Sequence, residues 1–404
     1  MIHLLFPFFV QQTPIKVEFR EAGGKWVLRR AGKPYFVKGV GGTERLDELK
    51  AIGGNSVRTW GSEKAKVELI EAQKRGLTMT LGIWLGHKSY FDYANPKQVK
   101  EQYEKVRADI LAHRNAPALL IWGLGNEMEA GNNTPDVWKA VGDLAKLVKS
   151  LDPNHPAMTV VAEVSQEKID FIKKYAPEID VLGINSYGGL ASLPKRLKEF
   201  GWTKPYIVTE FGVSGPWERG KAPWGAAFEQ TSSEKAKMFA RDYTNSISKQ
   251  DGWCVGSYSF LWGWKQEETP TWFGLFLPTG EKTERLDLLQ EFWTGKKSAS
   301  PSPKISSWKC PVQGKTLAPG ESFTVVAEAA GRDLKFEWVI QTETPERKRD
   351  GQGELSPRQI ESIVTLLPTH TFKAPKEKGK YRVALTIRNS EIGAATANSP
   401  FRVE

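Results

Sequence analysis

Two glutamates follow short apolar, β-branched segments of the chain, and their positions suit acid–base chemistry. Glu127 comes directly after residues 118–126, and Glu210 follows residues 205–209. Because an unpaired charge in apolar surroundings is costly, we expect each carboxyl group to be held by a partner or to react. Paired carboxyl groups suit glycoside hydrolysis, in which one protonates the leaving oxygen while the other stabilises or attacks the oxocarbenium-like carbon. The competing interpretation is that each glutamate caps a strand in a salt bridge.

Polar residues at the ends of other segments support a shared site. Arg58 follows Val57, and its guanidinium would keep a neighbouring carboxylate ionised. Tyr187 lies just beyond residues 179–184 and supplies a phenol that can hydrogen-bond a carboxylate. A structural ion pair for Arg58 and a core position for Tyr187 are the alternatives. Glu163 is a further carboxylate, which we expect to bind substrate hydroxyl groups or a loop.

Aromatic residues occur near the same segment ends. The chain has 15 tryptophans, and indole faces can stack on sugar rings, although most tryptophans belong to cores and interfaces. Trp60 and Trp84 are predicted to contact substrate. For Trp84 and Trp264 a plain packing role stays open as an alternative. His87 has no second histidine near it in the sequence, and we expect it to have a surface or loop role.

Eight strand-like segments alternate with stretches of helical spacing between residues 35 and 294, which predicts an α/β fold. Eight strand–helix units match a (β/α)8 TIM barrel, whose usual size is about 250 residues and whose reacting groups lie at the C-terminal ends of the strands. A doubly wound open sheet is the alternative, but no glycine-rich phosphate loop follows the first strand. Thr134 before Pro135 predicts a helix N-cap. The predicted strands are residues 35–39, 56–59, 78–83, 118–124, 157–162, 179–184, 205–209 and 254–260.

The composition divides the chain into four parts. Residues 1–16 are interpreted as a signal peptide or a disordered leader, which favours a secreted or periplasmic location. Residues 17–296 are predicted to form the barrel with an entry hairpin, and residues 297–306, rich in Lys, Ser and Pro, a linker. Residues 307–404 contain segments of period two separated by turn residues, which predicts a small immunoglobulin-like β-sandwich.

The overall composition argues against several other classes of protein. No run of about 18 apolar residues occurs, so no membrane-spanning helix is predicted. Two cysteines and five scattered histidines do not form a recognisable zinc cluster. The net charge of +10 is spread along the chain without a basic block, which gives little support for nucleic-acid binding. Neither a metal nor a cofactor is predicted.

Residues from several predicted strands together resemble those of a known clan. They are Arg58, Asn126-Glu127, Tyr187, Thr209-Glu210-Phe211-Gly212 and Trp262. This set resembles the clan A retaining glycoside hydrolases over residues 17–295. The resemblance implies that Glu127 is the acid/base and that Glu210 is the nucleophile.

The same resemblance implies roles for the residues around the two glutamates. Asn126 would bond the sugar 2-hydroxyl group. Arg58 and Tyr187 would orient Glu210, and Trp262 would lie beneath the reacting sugar.

Two families within this resemblance are similar to different parts of the chain. Residues 24–39 resemble the start of the family 2 catalytic barrel of β-galactosidases and β-glucuronidases. Those proteins carry further domains before the barrel that help to close a pocket, whereas here the hairpin comes near the start of the chain, which favours an open cleft and internal cleavage. Met128 departs from the Asn-Glu-Pro motif of family 5. A barrel followed by one immunoglobulin-like domain is similar to family 158, whose activity is endo-β-1,3-glucanase.

The predicted function is therefore a retaining, endo-acting β-glycoside hydrolase on a polysaccharide, with a laminarin-type β-1,3-glucan as the expected substrate. A β-glucan transglycosylase and an exo-β-glycosidase of galactosidase or mannosidase type remain as alternatives. A carbohydrate-binding protein without catalysis is the alternative from another class. The expected partner is a β-linked oligosaccharide or polysaccharide, and the chain is expected to be a monomer.

Overall fold

The computed structural model describes residues 13–344, 354–390 and 392–404, and the described chain begins with a three-stranded antiparallel sheet. Its strands are β1 (Val17–Ala22), β2 (Lys25–Arg30) and β3 (Lys33–Pro34). Gly23 and Gly24 make the turn between β1 and β2 with positive φ, a conformation that glycine adopts without strain. The predicted entry hairpin is confirmed. Residues 1–12 of the predicted leader lie outside the described residues.

Eight parallel strands then close into a barrel in which neighbours in the chain are neighbours in space and the last strand pairs with the first. The predicted TIM-barrel fold is confirmed, because each apolar run forms one strand. The barrel strands are β4 (Val37–Gly41), β5 (Ser56–Arg58), β6 (Thr78–Ile83), β7 (Leu119–Leu124), β8 (Ala157–Ala162), β9 (Val181–Asn185), β10 (Tyr206–Glu210) and β11 (Cys254–Ser259).

Helices connect the strands on the outside of the barrel. They are α1 (Leu46–Ala51), α2 (Ala65–Lys74), α3 (Pro96–His113), α4 (Pro135–Leu151), α5 (Gln166–Tyr175), α6 (Leu193–Glu199), α7 (Ser232–Tyr243) and α8 (Glu284–Thr294). Thr134 occupies the N-cap position of α4 as predicted, but its side chain makes no capping hydrogen bond. None of the described helices has both the length and the apolar character that crossing a bilayer would require.

The N-terminal sheet covers the end of the barrel where the strands begin. The N–H of Val17 donates to the carbonyl of Asn154 at 2.8 Å, and the N–H of Trp26 donates to the carbonyl of Gly252 at 2.6 Å. Both acceptors precede a barrel strand. Val17 and Leu28 are buried in one apolar cluster with residues of the barrel strands. The opposite end, where the strands finish, is therefore the end that remains for a site.

The C-terminal part is a two-layer β-sandwich. A three-stranded sheet in the order β12-β14-β17 faces a five-stranded sheet in the order β13-β19-β18-β15-β16. Both sheets contribute to a second apolar core, in which Trp338 is fully buried. The strands are β12 (Lys304–Lys309), β13 (Thr316–Leu317), β14 (Ser322–Ala330), β15 (Lys335–Thr342), β16 (Gln359–Thr365), β17 (Thr369–Lys373), β18 (Gly379–Arg388) and β19 (Ala394–Val403).

The connection between barrel and sandwich is shorter than the predicted linker of residues 297–306. β12 begins at Lys304, inside that segment. Ser302 is buried, and its N–H donates to Oδ2 of Asp287 on α8 at 2.8 Å. The connection therefore packs against the barrel.

Candidate active site

Glu210 ends β10, and its carboxylate accepts hydrogen bonds from three side chains at the ends of two other strands, β5 and β9. Arg58 donates from Nη1 to Oε1 at 3.0 Å, Trp60 donates from Nε1 to Oε1 at 2.7 Å, and the Tyr187 hydroxyl donates to Oε2 at 2.7 Å. Arg58 and Glu210 are both buried. A guanidinium and two further donors stabilise the charged form of a carboxyl group. These three donors hold the Glu210 carboxylate in one orientation.

Glu127 lies just beyond β7 in a different environment. Its backbone is left-handed, with φ of 55°, and its N–H donates to the carbonyl of Val160 at 2.9 Å. Its Oε1 accepts one hydrogen bond, from Nδ2 of Asn185 at 2.7 Å. Burial and, after it, the negative charge of Glu210 raise the pKa of Glu127 to about 7. A carboxyl group with this pKa holds a proton near neutral pH and can act as a general acid.

Two amide side chains link the surroundings of the two glutamates. Oδ1 of Asn126 accepts from Nη2 of Arg58 at 2.7 Å and from Nδ2 of Asn185 at 3.1 Å, which fixes the orientation of the Asn126 amide group. Oδ1 of Asn185 accepts from the Thr209 hydroxyl at 2.8 Å. The Asn126 amide therefore connects Arg58, which binds Glu210, to Asn185, which binds Glu127.

Asn185 is a site residue that the sequence analysis did not single out. The available signal was its position directly after an apolar run and two residues before Tyr187. Its role depends on which atoms lie across the barrel from it, and sequence spacing does not give that information.

Phe260 is a second residue that the sequence analysis did not assign. It follows β11, is partly exposed, and joins Leu261 through a cis peptide bond. Its ring packs edge to face against Trp60 and against Tyr187, with ring centroids 6.0 Å apart in both pairs. Phe260 therefore lies between the two aromatic donors of Glu210.

The expectation that Trp262 lies beneath the reacting sugar is wrong for this structure. Trp262 is only 2% exposed. Its Nε1 donates to the carbonyl of Glu44 at 2.6 Å, and its ring packs edge to face on Phe276 at 5.0 Å. A ring enclosed in this way has no open face for a sugar. After β11 the chain thus packs Phe260 against Trp60 and Tyr187 and buries Trp262 in the core.

Other aromatic residues at this end of the barrel are exposed. Trp84 follows β6, is 39% exposed, stacks on His87 at 4.8 Å and donates from Nε1 to the Tyr90 hydroxyl at 2.7 Å. His87 lies in the loop after β6, where a loop role was predicted. On the other side, Trp217 is 59% exposed and packs edge to face on Tyr187 at 5.6 Å.

Two further carboxylates near Glu127 are occupied by other groups. Glu163 pairs with Arg196, with Oε2 and Nη1 2.6 Å apart, and accepts a hydrogen bond from Ser186. Glu129 is buried, and its Oε1 accepts from Nζ of Lys168 at 2.9 Å and from the N–H of Ala162 at 2.8 Å. Both pairs hold the loops that follow β7 and β8.

The structure places the predicted site residues as follows. Glu127, Glu210, Arg58, Asn126, Tyr187 and Trp60 form one hydrogen-bonded group. Trp84 lies at the same end of the barrel, directly after β6, which pairs with the strand that leads to Glu127. In the described parts of the chain, no three His, Cys, Asp or Glu side chains come together in a way that could hold a metal ion.

The family model described as "Glycosyl hydrolases family 2, TIM barrel domain" matches residues 66–273, which is just over half of the chain. The chain belongs to the glycosyl hydrolases of family 2. The resemblance to the family 2 barrel in residues 24–39 is consistent with this result. The resemblance to family 158 stays a prediction.

A curated relative of this family 2 chain is the mannan endo-1,4-beta-mannosidase F of Aspergillus clavatus. It is 23% identical over 235 residues, covering 47% of this chain and 53% of the relative.

Solved structures of similar fold include several glycosidases. The beta-D-glucuronidase of Dictyoglomus thermophilum is 19% identical with a TM-score of 0.54, over 69% of this chain and 54% of that one. Bacteroides uniformis beta-glucuronidase 2 is 16% identical with a TM-score of 0.55, over 96% and 48%. The GH2 beta-galacturonidase of Eisenbergiella tayi is 18% identical with a TM-score of 0.55, over 69% and 54%. At these identities the likeness shows the fold, and the chain spans about half the length of these proteins.

Proposed function

We propose that the protein is a retaining β-glycoside hydrolase with Glu210 as nucleophile and Glu127 as general acid/base. The observation that carries the proposal is the opposite environment of two carboxyl groups at one end of the barrel. Glu210 is held by a guanidinium and two further donors. Glu127 is partly buried and has one amide donor, and its pKa is raised to about 7. This difference supports Glu127 as the group that donates the proton and Glu210 as the group that attacks.

In the first step, Oε2 or Oε1 of Glu210 attacks the anomeric carbon while Glu127 donates its proton to the departing oxygen. The bond between the anomeric carbon and that oxygen breaks, and a glycosyl ester of Glu210 forms. Tyr187, Trp60 and Arg58 hold the carboxylate in place before the attack, so that little reorganisation is needed. Asn126 accepts two hydrogen bonds through Oδ1, and in this proposal its amide nitrogen donates to the sugar 2-hydroxyl group.

In the second step, ionised Glu127 takes a proton from water, and the water oxygen attacks the anomeric carbon and releases Glu210. The charge of Glu210 is neutralised in the ester, which removes the largest effect after burial that raises the pKa of Glu127. The residue can therefore act as a base in this half of the reaction. A sugar hydroxyl in place of water would give transglycosylation.

We propose that the enzyme removes a terminal sugar. The support is membership of family 2, together with a fold shared with proteins named as glucuronidases and a galacturonidase. Internal cleavage of a polysaccharide is the second candidate. It is favoured by the relative named as a mannan endo-mannosidase and by the exposed Trp84 and Trp217 on two sides of the site.

The test is a substrate panel with product sizing. It contains the nitrophenyl β-glycosides of glucuronic acid, galacturonic acid, galactose, mannose and glucose, together with mannan and laminarin. Release of monosaccharide supports exo action, and a ladder of oligosaccharides from mannan or laminarin supports the second candidate. Proton NMR of the first product measures the anomer, and an inverted product overturns the two-step mechanism. Binding without turnover would indicate a carbohydrate-binding protein.

The assignment of the nucleophile is tested by Glu210→Gln. This variant should keep the fold and lose activity, because the amide cannot form the glycosyl ester. Residual activity above about a hundredth of wild type would show that another group reacts. The control is Glu199→Gln, at an exposed glutamate paired with Lys195 on α6, which should keep full activity.

A further inference from the structure

The contacts between the sandwich and the barrel include helix α7 and the segment between β11 and α8. The Ser232 hydroxyl oxygen on α7 accepts from the N–H of Thr396 on β19 at 2.9 Å. Lys282 exchanges two backbone hydrogen bonds with the sandwich, to Ile392 and from Ala394, both at 2.9 Å. We call residues 260–283 the β11–α8 loop. Its far end is thus joined to the sandwich backbone.

The β11–α8 loop also borders the candidate active site. It begins with Phe260, and its Phe273 packs against Tyr187 at 5.5 Å and against Phe260 at 5.4 Å. These contacts place the loop against the residue whose hydroxyl holds Glu210. Lys265 and Glu267 are partly exposed and form an ion pair with Nζ and Oε2 2.6 Å apart. One face of the loop thus belongs to the active-site end of the barrel.

The other face of the same loop is held by the sandwich. Gln266 and Glu268 alternate with the charged pair and are buried. Nε2 of Gln266 donates to the Thr344 hydroxyl at 3.1 Å, and that hydroxyl donates to the carbonyl of Glu268 at 2.8 Å. The N–H of Glu268 donates to Oε2 of Glu354 at 2.7 Å. Residues from the sandwich therefore fix both the backbone and the side chains of this stretch.

Arg382 on β18 connects this stretch to the sandwich core and to a second barrel loop. Its guanidinium is fully buried and donates to Glu343 at 3.0 and 3.2 Å and to Oδ1 of Asn398 at 2.6 Å. It also donates to the carbonyl of Ala227 at 3.3 and 3.2 Å. The N–H of Ala227 in turn donates to Oε1 of Glu268 at 2.8 Å, and that carboxylate lies 3.9 Å from Nη2 of Arg382.

We infer that Arg382 is a positioning residue for the active site: through Ala227 and Glu268 it holds the β11–α8 loop against Tyr187, so that the sandwich is a working part of the catalytic unit. The inference rests on the proposed function for its effect on activity. Its physical basis is that Arg382 supplies five donors in a fixed plane, which can satisfy acceptors on three segments at once. A shift of about 1 Å in a group that orients a catalytic residue can cost as much as a 10²-fold loss in rate.

The experiment compares Arg382→Met and Arg382→Lys with Val325→Ala, all in the full chain. Val325 is buried in the sandwich core on β14 and lies outside the contacts described above, so its truncation destabilises the sandwich without touching the loop. Steady-state kinetics on a cleaved nitrophenyl glycoside are measured well below the unfolding temperature of each variant. Hydrogen exchange is measured for residues 260–283 without substrate.

We expect Arg382→Met to lower kcat by about tenfold or more and to speed hydrogen exchange in the loop, with Arg382→Lys between it and wild type. Val325→Ala should lower the unfolding temperature while leaving kcat and loop exchange as in wild type. Equal kcat for Arg382→Met and Val325→Ala, or unchanged exchange in the loop, overturns the inference. If Arg382→Met does not fold, Arg382→Lys alone carries both measurements.

Hydrogen exchange separates the two proposals, because it needs no turnover. If the wild-type protein is inactive but hydrogen exchange in the loop is faster in Arg382→Met, the positioning role of Arg382 is supported and the proposed reaction is wrong. If the wild-type protein is active but hydrogen exchange in the loop is unchanged in Arg382→Met, the proposed reaction stands and the positioning role of Arg382 is wrong.

Discussion

At the scale of single residues, the backbone of Glu127 matters as much as its side chain. Its φ of 55° lies in the left-handed region, which costs a residue with a Cβ of order 1 kcal/mol. Glu163, at the end of the next strand, has the same φ, and its N–H donates to the carbonyl of Asn185 at 2.9 Å. Gly125, also with positive φ, begins the turn, and a Cβ there would overlap Met128. The turn that presents Glu127 is therefore strained and closely packed.

The first prediction concerns the stability of Glu127→Gln. The pKa of Glu127 is about 7 in the folded protein and 4.5 for an ordinary glutamate. The folded state thus binds this proton more tightly, so the free energy of unfolding should fall as the pH rises from about 4.5 to 7. The amide of the variant does not titrate, so the variant should be more stable than wild type by up to about 3 kcal/mol at pH 8 and equal to it at pH 4.

Urea unfolding at both pH values measures this difference. A variant that is no more stable than wild type at pH 8 would show that the carboxyl group is ionised in the folded protein without cost. Activity provides the second readout, because the same variant lacks the proton that the leaving oxygen needs.

The second prediction concerns Asn185→Ala. The Asn185 hydrogen bond lowers the pKa of Glu127 against the larger effects of burial and Glu210. Its removal should move the alkaline limb of the kcat/KM profile to higher pH, and kcat should fall by about 10- to 100-fold because Glu127 loses its orientation. A pH–rate profile of the variant measures both effects. An alkaline limb that moves to lower pH would contradict the role given to Asn185.

At the scale of elements, the two ends of the barrel have different tasks. The C-terminal ends of β5, β7, β9 and β10 bring Arg58, Glu127, Asn185 and Glu210 together, although they are far apart in the sequence. The N-terminal ends are closed by the β1–β3 sheet, whose Leu28 packs among the barrel strands. This separation predicts that stability at one end can be changed without changing the chemistry at the other.

The third prediction follows for Leu28→Ala. Truncation of a fully buried leucine removes apolar contacts and leaves a cavity, which should lower the free energy of unfolding by about 2 to 5 kcal/mol. kcat/KM at 25 °C should stay within about twofold of wild type, since the site lies at the other end. Denaturant unfolding and steady-state kinetics test both parts. Leu28→Met, which keeps the volume, should restore most of the stability.

At the scale of the whole molecule, barrel and sandwich share a buried polar interface. Glu229 forms a buried pair with Lys235 on α7, with 2.5 Å between Oε1 and Nζ, and also accepts from Nδ2 of Asn398 on β19 at 2.5 Å. Burial lowers the pKa of Lys235 to about 8, and the negative charge of Glu229 opposes part of this lowering. Buried charged groups such as Glu229 and Lys235 are stable only while their partners stay in place. Because one partner, Asn398, belongs to the sandwich, the stabilities of the barrel and the sandwich are coupled.

The fourth prediction is that the protein unfolds in one calorimetric transition. Glu229→Gln should shift that whole transition, since it leaves Lys235 buried without its counter-charge, at a cost of about 3 to 5 kcal/mol. The control is Lys309→Ala, whose ammonium is exposed on the sandwich and 3.9 Å from Glu328, and it should leave the transition where it is. Two separate transitions, only one of which moves in Glu229→Gln, would contradict the coupling.

The amino-acid sequence by itself determined the barrel strands and the two glutamates that follow β7 and end β10. Apolar runs of strand length between helical stretches specify a buried parallel sheet, and the barrel fold puts the ends of such strands on one face. Arg58 and Tyr187 could be found in the same way, because position at a strand end is a property of the local sequence.

The tertiary structure alone decided which neighbours meet across the barrel. It selected Asn185 as the partner of Glu127 and Phe260 as the ring between Trp60 and Tyr187, and it buried Trp262. It also joined the β11–α8 loop to Arg382, more than 100 residues later in the chain. Contacts of this kind depend on the direction of each side chain after its strand ends and on how two cores dock. Neither the residue types nor their spacing contain that information, because it is set by packing among segments far apart in the chain.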